Sequence, residues 1–462
     1  MTGRPPPCGR LWAALAACLA LAAGAVAAPA QPIDLSRLSA QPNPRLGLSF
    51  PGSQVRYYPY MADAGIGVAR IAVTWGLIEP ERGRYNWRGL DERVGSLLQL
   101  GIQPFLTFES QSDWGTRPDT RAVKNGAPVE LEDWRRFVAN VVERYDGDGR
   151  DDMPGLAGRV RYYQAANEWE SPENPSGGWI GSGAELIALI DATHDAIKAA
   201  DADAVHVLGG IASFNMDVLL VALDRADFRV QQRWSAGSTT VFDRARIHSP
   251  EIAALIDERV LPVLRDARYD MADAHLYGPE ARDPARLALL AELSGRPVLS
   301  AECGGPSRDY GGEYSPQGHF IAAVHRNLGV LAAGGAFCLW FRLGEDDRTT
   351  WGNRFTALYT NDARPKPGVW AFRMLARLLR PGVEPYPLGG DGFELRGTGA
   401  PLRLGWDAGA DGVLGWAAQQ GVPAWCLTDA PAGLLSPAAG GCPAGGFVIA
   451  GRDVAQLLSP DP

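Results

Sequence analysis

Short apolar runs and longer amphipathic segments alternate along residues 45–380. The apolar runs are rich in β-branched and aromatic residues, whereas the segments between them have helical periodicity. This alternation is typical of parallel strands joined by crossover helices. Strands are predicted at residues 45–50, 68–75, 102–108, 160–166, 205–210, 271–277, 297–302 and 336–341. Helices are predicted between them, for example at residues 87–100, 131–145, 184–200, 284–293, 319–333 and 369–379.

Eight strand–helix units in about 335 residues predict an α/β fold, a (β/α)8 TIM barrel with insertions. The competing interpretation is an open, doubly wound sheet, which requires a glycine-rich phosphate-binding turn after an early strand. The sequence contains neither G-x-G-x-x-G nor G-x-x-x-x-G-K-[ST]. The longest irregular segment, residues 228–250, is predicted to be a loop with local structure on the active-site face.

The pattern changes after residue 380, where short β-like runs are separated by glycine and proline. These runs lie at residues 392–395, 402–406 and 412–416. We therefore predict three parts of the chain. They are a signal peptide at residues 1–30, a catalytic barrel at residues 31–380 and a small C-terminal β-rich domain at residues 381–462.

Composition and charge are those of a globular protein that does not bind nucleic acid. Of the 462 residues, 46% are hydrophobic and 21% are charged, and the formal net charge is -9. A chain of this composition can bury a sizeable core. No run of lysine and arginine is present to neutralise the phosphates of a nucleic acid.

The N-terminus is predicted to be a secretory signal peptide. Arg4 and Arg10 precede an apolar run at residues 11–23, and the alanine-rich residues that follow offer A-x-A cleavage sites. The run is too short for a membrane span, and no later stretch reaches about 18 apolar residues. We therefore expect an exported protein, periplasmic or secreted, with no integral membrane span in the mature chain. The letters L-A-A-C ending at Cys18 resemble a lipoprotein cleavage box, so lipidation is the alternative.

Four cysteines follow the predicted signal peptide, and export to an oxidising compartment allows disulfides. Cys426 and Cys442 enclose a short loop, and this pair is the favoured bridge. Cys303 and Cys338 either face each other on neighbouring strands or remain buried thiols. No C-x-x-C or H-x-H spacing occurs, so neither a metal site nor a cofactor is predicted.

Polar residues end several predicted strands, at the barrel end where reactive groups lie. Strand four ends in Asn167-Glu168, strand six carries His275 and Tyr277, and strand seven ends in Glu302. Two carboxyl groups that face each other across a barrel mouth suit glycoside hydrolysis. One protonates the leaving oxygen, and the other attacks or activates water at the anomeric carbon. We therefore predict that Glu168 and Glu302 are the catalytic pair.

Short motifs in the predicted barrel resemble those of clan A glycoside hydrolases, especially family 39 with its xylosidases and exopolysaccharide glycosidases. The segment W-G-L-I-E-P at residues 75–80 is similar to the one that follows strand two in that clan. Asn167-Glu168 resembles the clan's acid/base dipeptide, and Glu302 resembles its nucleophile. Many relatives have proline next, whereas this chain has tryptophan and then Glu170, the local alternative to Glu168 as the acid.

The resemblance implies a retaining double displacement, with the carboxyl groups about 5 to 5.5 Å apart. Glu302 would attack the anomeric carbon as a carboxylate. Glu168 would protonate the departing oxygen and later deprotonate water, which requires a protonated Glu168 beside an ionised Glu302. A glycan is the implied partner, and no metal or organic cofactor is needed.

Further side chains are predicted to contact the substrate or the catalytic pair. Asn167 would bond the sugar 2-hydroxyl, Tyr277 with His275 would orient Glu302, and Arg70 resembles the clan's arginine near the nucleophile. Aromatic rings suit the apolar face of a sugar. The predicted aromatic contacts are Trp75, Trp114, Trp179 and Trp340. Packing or ion pairing within the barrel is the alternative role for these side chains.

The sequence as a whole predicts an exported retaining glycoside hydrolase, and the β-linkage is implied by the resemblance alone. One alternative is a non-catalytic carbohydrate-binding or exopolysaccharide-assembly protein on the same barrel. A second alternative is a metal-dependent barrel hydrolase, which the scattered positions of the six histidines disfavour.

Overall fold

Eight parallel strands close into a barrel. The structure, a computed structural model, describes residues 1, 3, 30–172, 174–233, 238–305, 313–345, 356–397, 399–439 and 441–460. The barrel strands are β1 (Asn43–Ser49), β2 (Ile66–Thr74), β3 (Gln103–Glu109), β4 (Tyr162–Ala165), β5 (Val205–Leu208), β6 (Ala272–Asp273), β7 (Val298–Cys303) and β8 (Cys338–Phe341). Their hydrogen-bonded order is β5-β4-β3-β2-β1-β8-β7-β6. Parallel bridges from Val207 to Met271 and from Ile211 to Ala274 join β5 to β6.

Helices connect the strands. The longer ones are α1 (Arg88–Gln99), α2 (Leu131–Glu143), α3 (Gly183–Ala200), α4 (Ser213–Ala222), α5 (Asp283–Ser294), α6 (Pro316–Ala332) and α7 (Pro367–Leu378). Short helices lie at Pro59–Asp63, Trp75–Ile78, Arg244–Ile247, Pro250–Leu255, Leu261–Asp266 and Val454–Leu457. A capping box begins α3, where Ser182 and Glu185 each bond the other's backbone N–H. All eight predicted strands are present, so the predicted barrel is confirmed.

An apolar layer fills the barrel below the end that carries the candidate site. Its members alternate along the strands because every second side chain points inwards. They are Val68, Phe105, Val207, Leu299, Ala301, Phe337 and Leu339. Arg70 and Thr107 lie two residues further along β2 and β3, and they bond each other inside the barrel. The barrel interior therefore changes from apolar to polar towards the ends of the strands.

The predicted loop at residues 228–250 contains regular structure. Val230–Arg233 pairs antiparallel with Thr239–Phe242, and the helices Arg244–Ile247 and Pro250–Leu255 follow. A small apolar cluster, which includes Val230 and Ile247, fixes this insertion against α4.

The C-terminal segment forms an antiparallel sheet that also includes Ile33–Asp34 from the start of the described chain. Its other strands are β9 (Glu384–Pro387), β10 (Gly392–Arg396), β11 (Leu402–Gly405), β12 (Ala424–Asp429), β13 (Leu434–Pro437) and β14 (Val448–Ala450). One predicted β-like run was wrong, because residues 412–416 lie in helix α8 (Asp407–Gln420). Ala410, Val413 and Ala417 of this helix pack on β14. The division of the chain at residue 381 stays a prediction.

The described residues contain two disulfides. Cys426 of β12 is bonded to Cys442 in the loop that follows β13, and Cys303 at the end of β7 is bonded to Cys338 at the start of β8. Nearly all of the predicted signal peptide, including Cys18, lies outside the described residues. Within the described residues, no helix combines the length and the apolar character needed to cross a bilayer.

Candidate active site

A fully buried arginine organises the carboxyl ends of the barrel strands. Arg70 Nη1 lies 3.0 Å from Glu302 Oε2, and Nη2 donates to Asn167 Oδ1 at 2.5 Å. Its Nε donates to Thr107 Oγ1 at 2.8 Å, and the guanidinium carbon lies 4.7 Å from the centre of the Phe50 ring. A buried cation is costly unless charge and hydrogen bonds compensate it. The guanidinium of Arg70 thus links the end of β7, which carries Glu302, to the segment after β4, which carries Glu168.

Glu168 occupies a strained turn that begins at the end of β4. Ala166 and Glu168 have φ values of 66° and 46°, in the left-handed region that non-glycine residues rarely adopt. The turn passes directly over Gly209, where an added Cβ would lie 1.3 Å from the carbonyl oxygen of Ala166. The backbone N–H of Glu168 donates to the carbonyl oxygen of Gly210 at 3.0 Å. The surrounding backbone therefore holds Glu168 in a backbone conformation that is unfavourable for a non-glycine residue.

His275 hydrogen-bonds Glu168 and lies at ion-pair distance from Glu302, whereas the sequence predicts that it helps Tyr277 to orient Glu302. His275 Nδ1 lies 2.8 Å from Glu168 Oε1 and 3.9 Å from Glu302 Oε2. Its Nε2 lies 3.7 Å from Asp273 Oδ2. The imidazole packs against Gly210, where an added Cβ would lie 2.3 Å from His275 Cδ2. Glycine at this position therefore leaves room for a ring between three carboxylates.

Charge within this cluster sets the protonation of Glu168 and His275. Burial opposes the charge on His275, but the carboxylates of Glu302, Glu168 and Asp273 outweigh it and raise the pKa of His275 to about 9. Burial also opposes the charge on Glu168, but its bonds to His275 and Asn174 lower its pKa. The lowered pKa favours an ionised Glu168 in the ligand-free protein, whereas the acid role predicted from the sequence needs a protonated one. The difference comes from the imidazole of His275, which lies beside Glu168.

Arg70 and Tyr277 both contact Glu302, and their predicted roles in catalysis stay predictions. The phenol of Tyr277 donates to Oε1 at 2.9 Å, while Arg70 contacts Oε2. The Glu302 side chain is 15% exposed and that of Glu168 is 18% exposed, whereas Arg70 and His275 are fully buried. One oxygen of each glutamate and Nδ1 of His275 lie within 4.8 Å of one another. Both carboxylates thus reach solvent at the same point.

Two further buried arginines support the backbone that carries these groups. Arg286 donates to the carbonyl oxygen of Tyr277 at 2.7 Å, and Arg326 donates to that of Gly304 at 3.2 Å. Both arginines also pair with Asp283. The ends of β6 and β7 are therefore joined to α5 and α6 by charged hydrogen bonds.

Three of the four predicted aromatic contacts do not reach the cleft in this structure. Trp75, Trp179 and Trp340 are fully buried. The indole N–H groups donate to Glu79 Oε2 at 2.8 Å, to the Ser182 carbonyl at 3.0 Å and to the Thr356 carbonyl at 2.7 Å, respectively. Packing, the alternative role, therefore accounts for all three rings, because each has an apolar environment and a satisfied N–H.

Trp114 remains half-buried at the rim, packed edge-on against Trp75. Asn167 is buried, and its Nδ2 donates to the Ser176 carbonyl at 3.2 Å. Since an amide NH2 group has two N–H donors, Nδ2 keeps a second one that a sugar hydroxyl could accept. Both substrate contacts stay predictions.

Several residues of the site were not predicted from the sequence. Asn174 Nδ2 donates to Glu168 Oε2 at 2.6 Å, and Asn125 Nδ2 donates to the carbonyl oxygen of Asn167 at 2.7 Å. Both asparagines lie in loops with no periodic signal. Asp273 was detectable, because it lies two residues before His275 and so points to the same side of the strand.

Glu170, the predicted local alternative to Glu168, points away from the cleft. Its Oε1 accepts from the Ala212 backbone N–H and from Asn215 Nδ2, both at 2.8 Å. Its Oε2 is buried with no hydrogen-bond partner in the described structure. Burial, together with the charge of Glu168, raises the pKa of Glu170 to about 7. Glu170 is 3% exposed, whereas the side chain of Glu168 is 18% exposed, so of the two only Glu168 is open to the cleft.

The cluster of Glu168, His275 and Glu302 has a spacing that a cation could bridge, but its charges disfavour one. Arg70 already contacts Glu302, and the imidazole of His275 carries positive charge itself. A dication there would be repelled by both groups. A second acidic group, Asp146, Asp148 and Asp152, lies in a surface loop where its oxygens accept backbone N–H groups of the same loop.

Comparisons with known proteins agree with the fold. No family model matches the chain. An alignment over 129 positions with the beta-galactosidase Bga of Halorubrum lacusprofundi has 30% identity, and it covers 24% of this chain and 17% of that relative's length. A family 39 glycoside hydrolase from Bacteroides cellulosilyticus superimposes with a TM-score of 0.57 at 14% identity, covering 89% of this chain and 81% of that one.

A family 30 subfamily 8 xylanase from Clostridium acetobutylicum superimposes with a TM-score of 0.53 at 10% identity, covering 91% of this chain and 98% of that one. At these identities the likeness concerns the fold. The predicted resemblance to clan A glycoside hydrolases is therefore confirmed in architecture, since family 39 and family 30 enzymes share this barrel and its accompanying β-sheet.

Proposed function

We propose that the protein is a retaining glycoside hydrolase that cleaves β-linked glycans. One observation carries the proposal: the carboxylates of Glu168 and Glu302 meet at the barrel mouth with oxygens within 4.8 Å of each other. Retaining enzymes hold their carboxyl groups about 5 to 5.5 Å apart, whereas inverting enzymes leave about 6.5 to 9.5 Å for a water molecule. The close approach of one oxygen from each carboxylate fits the shorter of these two separations and supports direct attack by a carboxylate.

Glu302 is the nucleophile in this proposal. Its ion pair with Arg70 stabilises the carboxylate, and the bond from Tyr277 fixes its orientation. The carboxylate attacks the anomeric carbon as the glycosidic bond breaks, which gives a covalent glycosyl ester. Because Arg70 and Tyr277 are held by buried partners, little reorganisation is needed as this charge is consumed.

Glu168 is the acid/base. It donates a proton to the departing oxygen in the first step and accepts one from water in the second, when water attacks the ester carbon and frees Glu302. The exposed edge of Glu168 faces the same opening as Glu302, and Asn174 fixes its second oxygen. No step requires a metal or an organic cofactor.

The proposal names a broad class of substrates, the β-linked glycans, and not one particular sugar. The similar proteins include a xylanase and a beta-galactosidase, so β-xylosides and β-galactosides are the first compounds to test. The half-exposed Trp114 at the rim offers a ring for a sugar outside the cleavage point. The formal charge of -9 mildly disfavours strongly anionic glycans.

Export is part of the proposal. The charged and apolar pattern of residues 1–30 supports a signal peptide, and two disulfides suit an oxidising compartment. Cell fractionation with mass determination of the N-terminus would separate a free periplasmic or secreted form from one lipidated at Cys18.

The function is tested by reducing-end release from β-linked xylans, glucans, mannans, galactans and bacterial exopolysaccharides. Wild type, Glu168→Gln and Glu302→Gln should be compared on the same panel. Release by the wild type and its loss in both variants is the expected result. Release that survives Glu302→Gln would contradict the nucleophile assignment, whereas retained binding without release by the wild type would favour a non-catalytic carbohydrate-binding protein.

A further inference from the structure

We infer that His275 stores the proton that the reaction uses, and that Glu168 relays this proton between His275 Nδ1 and the glycosidic oxygen. The inference rests on the proposed glycosidase function. It assigns to His275 a role different from orienting a carboxylate, because the imidazole becomes the group whose charge changes during each turnover.

The carboxylates around His275 favour a positive charge on its ring. Its fully buried ring faces Glu168 from the end of β4, Asp273 from β6 and Glu302 from β7. Arg70 on β2 is the cation in contact with this group, through Glu302. Among the residues that the structure describes, three carboxylates beside one guanidinium leave an excess of two negative charges in a buried cluster. A proton on the imidazole halves this excess.

The contact between His275 and Glu168 suits proton transfer. Nδ1 and Oε1 are 2.8 Å apart, a normal charge-assisted hydrogen bond. Glu168 Oε2 is occupied by Asn174, so the imidazole and the amide fix both oxygens. Glu168 without its own proton cannot act as an acid, and His275 is the adjacent group that holds one.

The first step balances with this assignment. The Glu302 carboxylate forms a bond to the anomeric carbon, and the bond from that carbon to the leaving oxygen breaks. The leaving oxygen takes a proton from Glu168, which takes one from His275 Nδ1. The imidazolium becomes neutral as the negative charge of Glu302 is lost, so the net charge of the cluster is unchanged.

The approach of His275 Nδ1 to Glu302 Oε2, at 3.9 Å, couples proton release to bond formation. The carboxylate of Glu302 is the largest of the charges that raise the pKa of His275. Ester formation removes this charge and so lowers the affinity of His275 for its proton at the moment when the leaving oxygen needs one. In the second step water gives a proton to Glu168 and thence to His275, as the Glu302 carboxylate is regenerated.

The charge state is measured by NMR titration of protein labelled with 15N at histidine. His275 is assigned from His275→Asn, or from His275→Gln if the first variant does not fold. The expected result is a charged His275 at pH 7, whose midpoint falls by at least one pH unit in Glu302→Gln. His206 and His319 are internal controls, because burial lowers the pKa of each to about 3 and both should stay neutral.

The transfer step is measured by comparing kcat/KM for aryl glycosides with phenol and 2,4-dinitrophenol as leaving groups, in wild type and His275→Asn. Asparagine places an amide N–H near the Nδ1 position and can still bond Glu168, but it carries no transferable proton. We expect His275→Asn to reduce kcat/KM at least tenfold more for the phenyl glycoside. We also expect the alkaline limb of its pH profile to move down by at least one unit.

Three results would overturn these proposals in distinguishable ways. A neutral His275 at pH 7 in an active enzyme would contradict the inference and leave the glycosidase proposal intact. Equal losses for both leaving groups, with an unchanged alkaline limb, would reduce His275 to a positioning residue. Failure of the wild type to hydrolyse any glycoside would instead contradict the proposed function.

Discussion

The guanidinium of Arg70 lies 3.0 Å from the carboxylate of Glu302, although 232 positions separate the two residues in the chain. This ion pair links β2 to β7 across the barrel, and both groups are largely removed from water. The same arginine bonds Asn167, the residue next to Glu168. Stability and the geometry of the proposed catalytic pair therefore depend on one side chain.

Replacing Arg70 is expected to destabilise the fold as well as reduce activity. Arg70→Met leaves Glu302 partly buried without its ion pair, which should lower the free energy of unfolding by about 3 to 5 kcal/mol. Arg70→Lys should also lose stability, since an ammonium group cannot reproduce the directed bonds that the guanidinium makes through Nε, Nη1 and Nη2. Urea denaturation measures both effects. The exposed Arg56→Met is the control, and an Arg70→Met variant as stable as that control would refute the expectation.

Glu168→Ala should reduce hydrolysis of glycosides with poor leaving groups by about 10² to 10⁴-fold, because it removes the acid/base. Activated leaving groups need less protonation, so their first step should be affected less. Azide should restore turnover and give a glycosyl azide of retained configuration, because it attacks the ester without base assistance. Product analysis by NMR checks this, and an azide of inverted configuration would contradict the double displacement.

Tyr277→Phe removes the phenol that bonds Glu302 Oε1 and leaves the ring in place. A lost hydrogen bond to a charged group costs about 1.5 to 3 kcal/mol, so kcat/KM should fall roughly 10- to 150-fold. Tyr386→Phe, exposed in the C-terminal sheet, is the matched control. If both variants behave as wild type, the bond to Glu302 has no role in orientation.

Much of the barrel was predictable because its strands are apolar runs of the right length, separated by helices with a clear period. Helix α8 was missed because its glycines interrupt the apolar pattern. Ala410, Val413 and Ala417 nevertheless recur at intervals of three and four, which is the signal that was present.

The residues of the candidate site were easier to predict from the sequence than the contacts between them. Strand ends and the family resemblance pointed to Glu168, Glu302 and Arg70. The hydrogen-bond partner of His275 was not predictable, because its ring lies between the carboxylates of Glu168 and Glu302. A small rotation of the ring decides which of them is closer, and Nδ1 lies 2.8 Å from Glu168 and 3.9 Å from Glu302. Trp340 illustrates the same limit, because strand periodicity cannot distinguish a buried ring from one that lines a cleft.

Glu170→Gln should change stability in a pH-dependent way. The folded-state pKa of Glu170, about 7, lies above its ordinary value of 4.5, so folding favours the protonated form. The wild type should therefore lose stability as the pH rises from 4.5 through 7, and the variant should be spared this loss. We expect Glu170→Gln to be more stable by about 2 to 3 kcal/mol at pH 8.5, with little difference at pH 4.5.

Denaturant melts at the two pH values measure this difference, and Glu251→Gln is the control because Glu251 is exposed. A stabilisation of equal size at pH 4.5 would show that the effect does not arise from the charge of Glu170.

The most direct test of the central proposal is to trap the covalent intermediate on Glu302. The protein should be incubated with a 2-deoxy-2-fluoro-β-glycoside of the sugar that it hydrolyses, carrying a 2,4-dinitrophenyl leaving group, and then examined by intact mass and peptide mapping. We predict one added fluoroglycosyl group, located on the peptide at Glu302 and absent from Glu302→Gln. Burst release of dinitrophenol without any covalent adduct, or an adduct on another residue, would contradict the proposal.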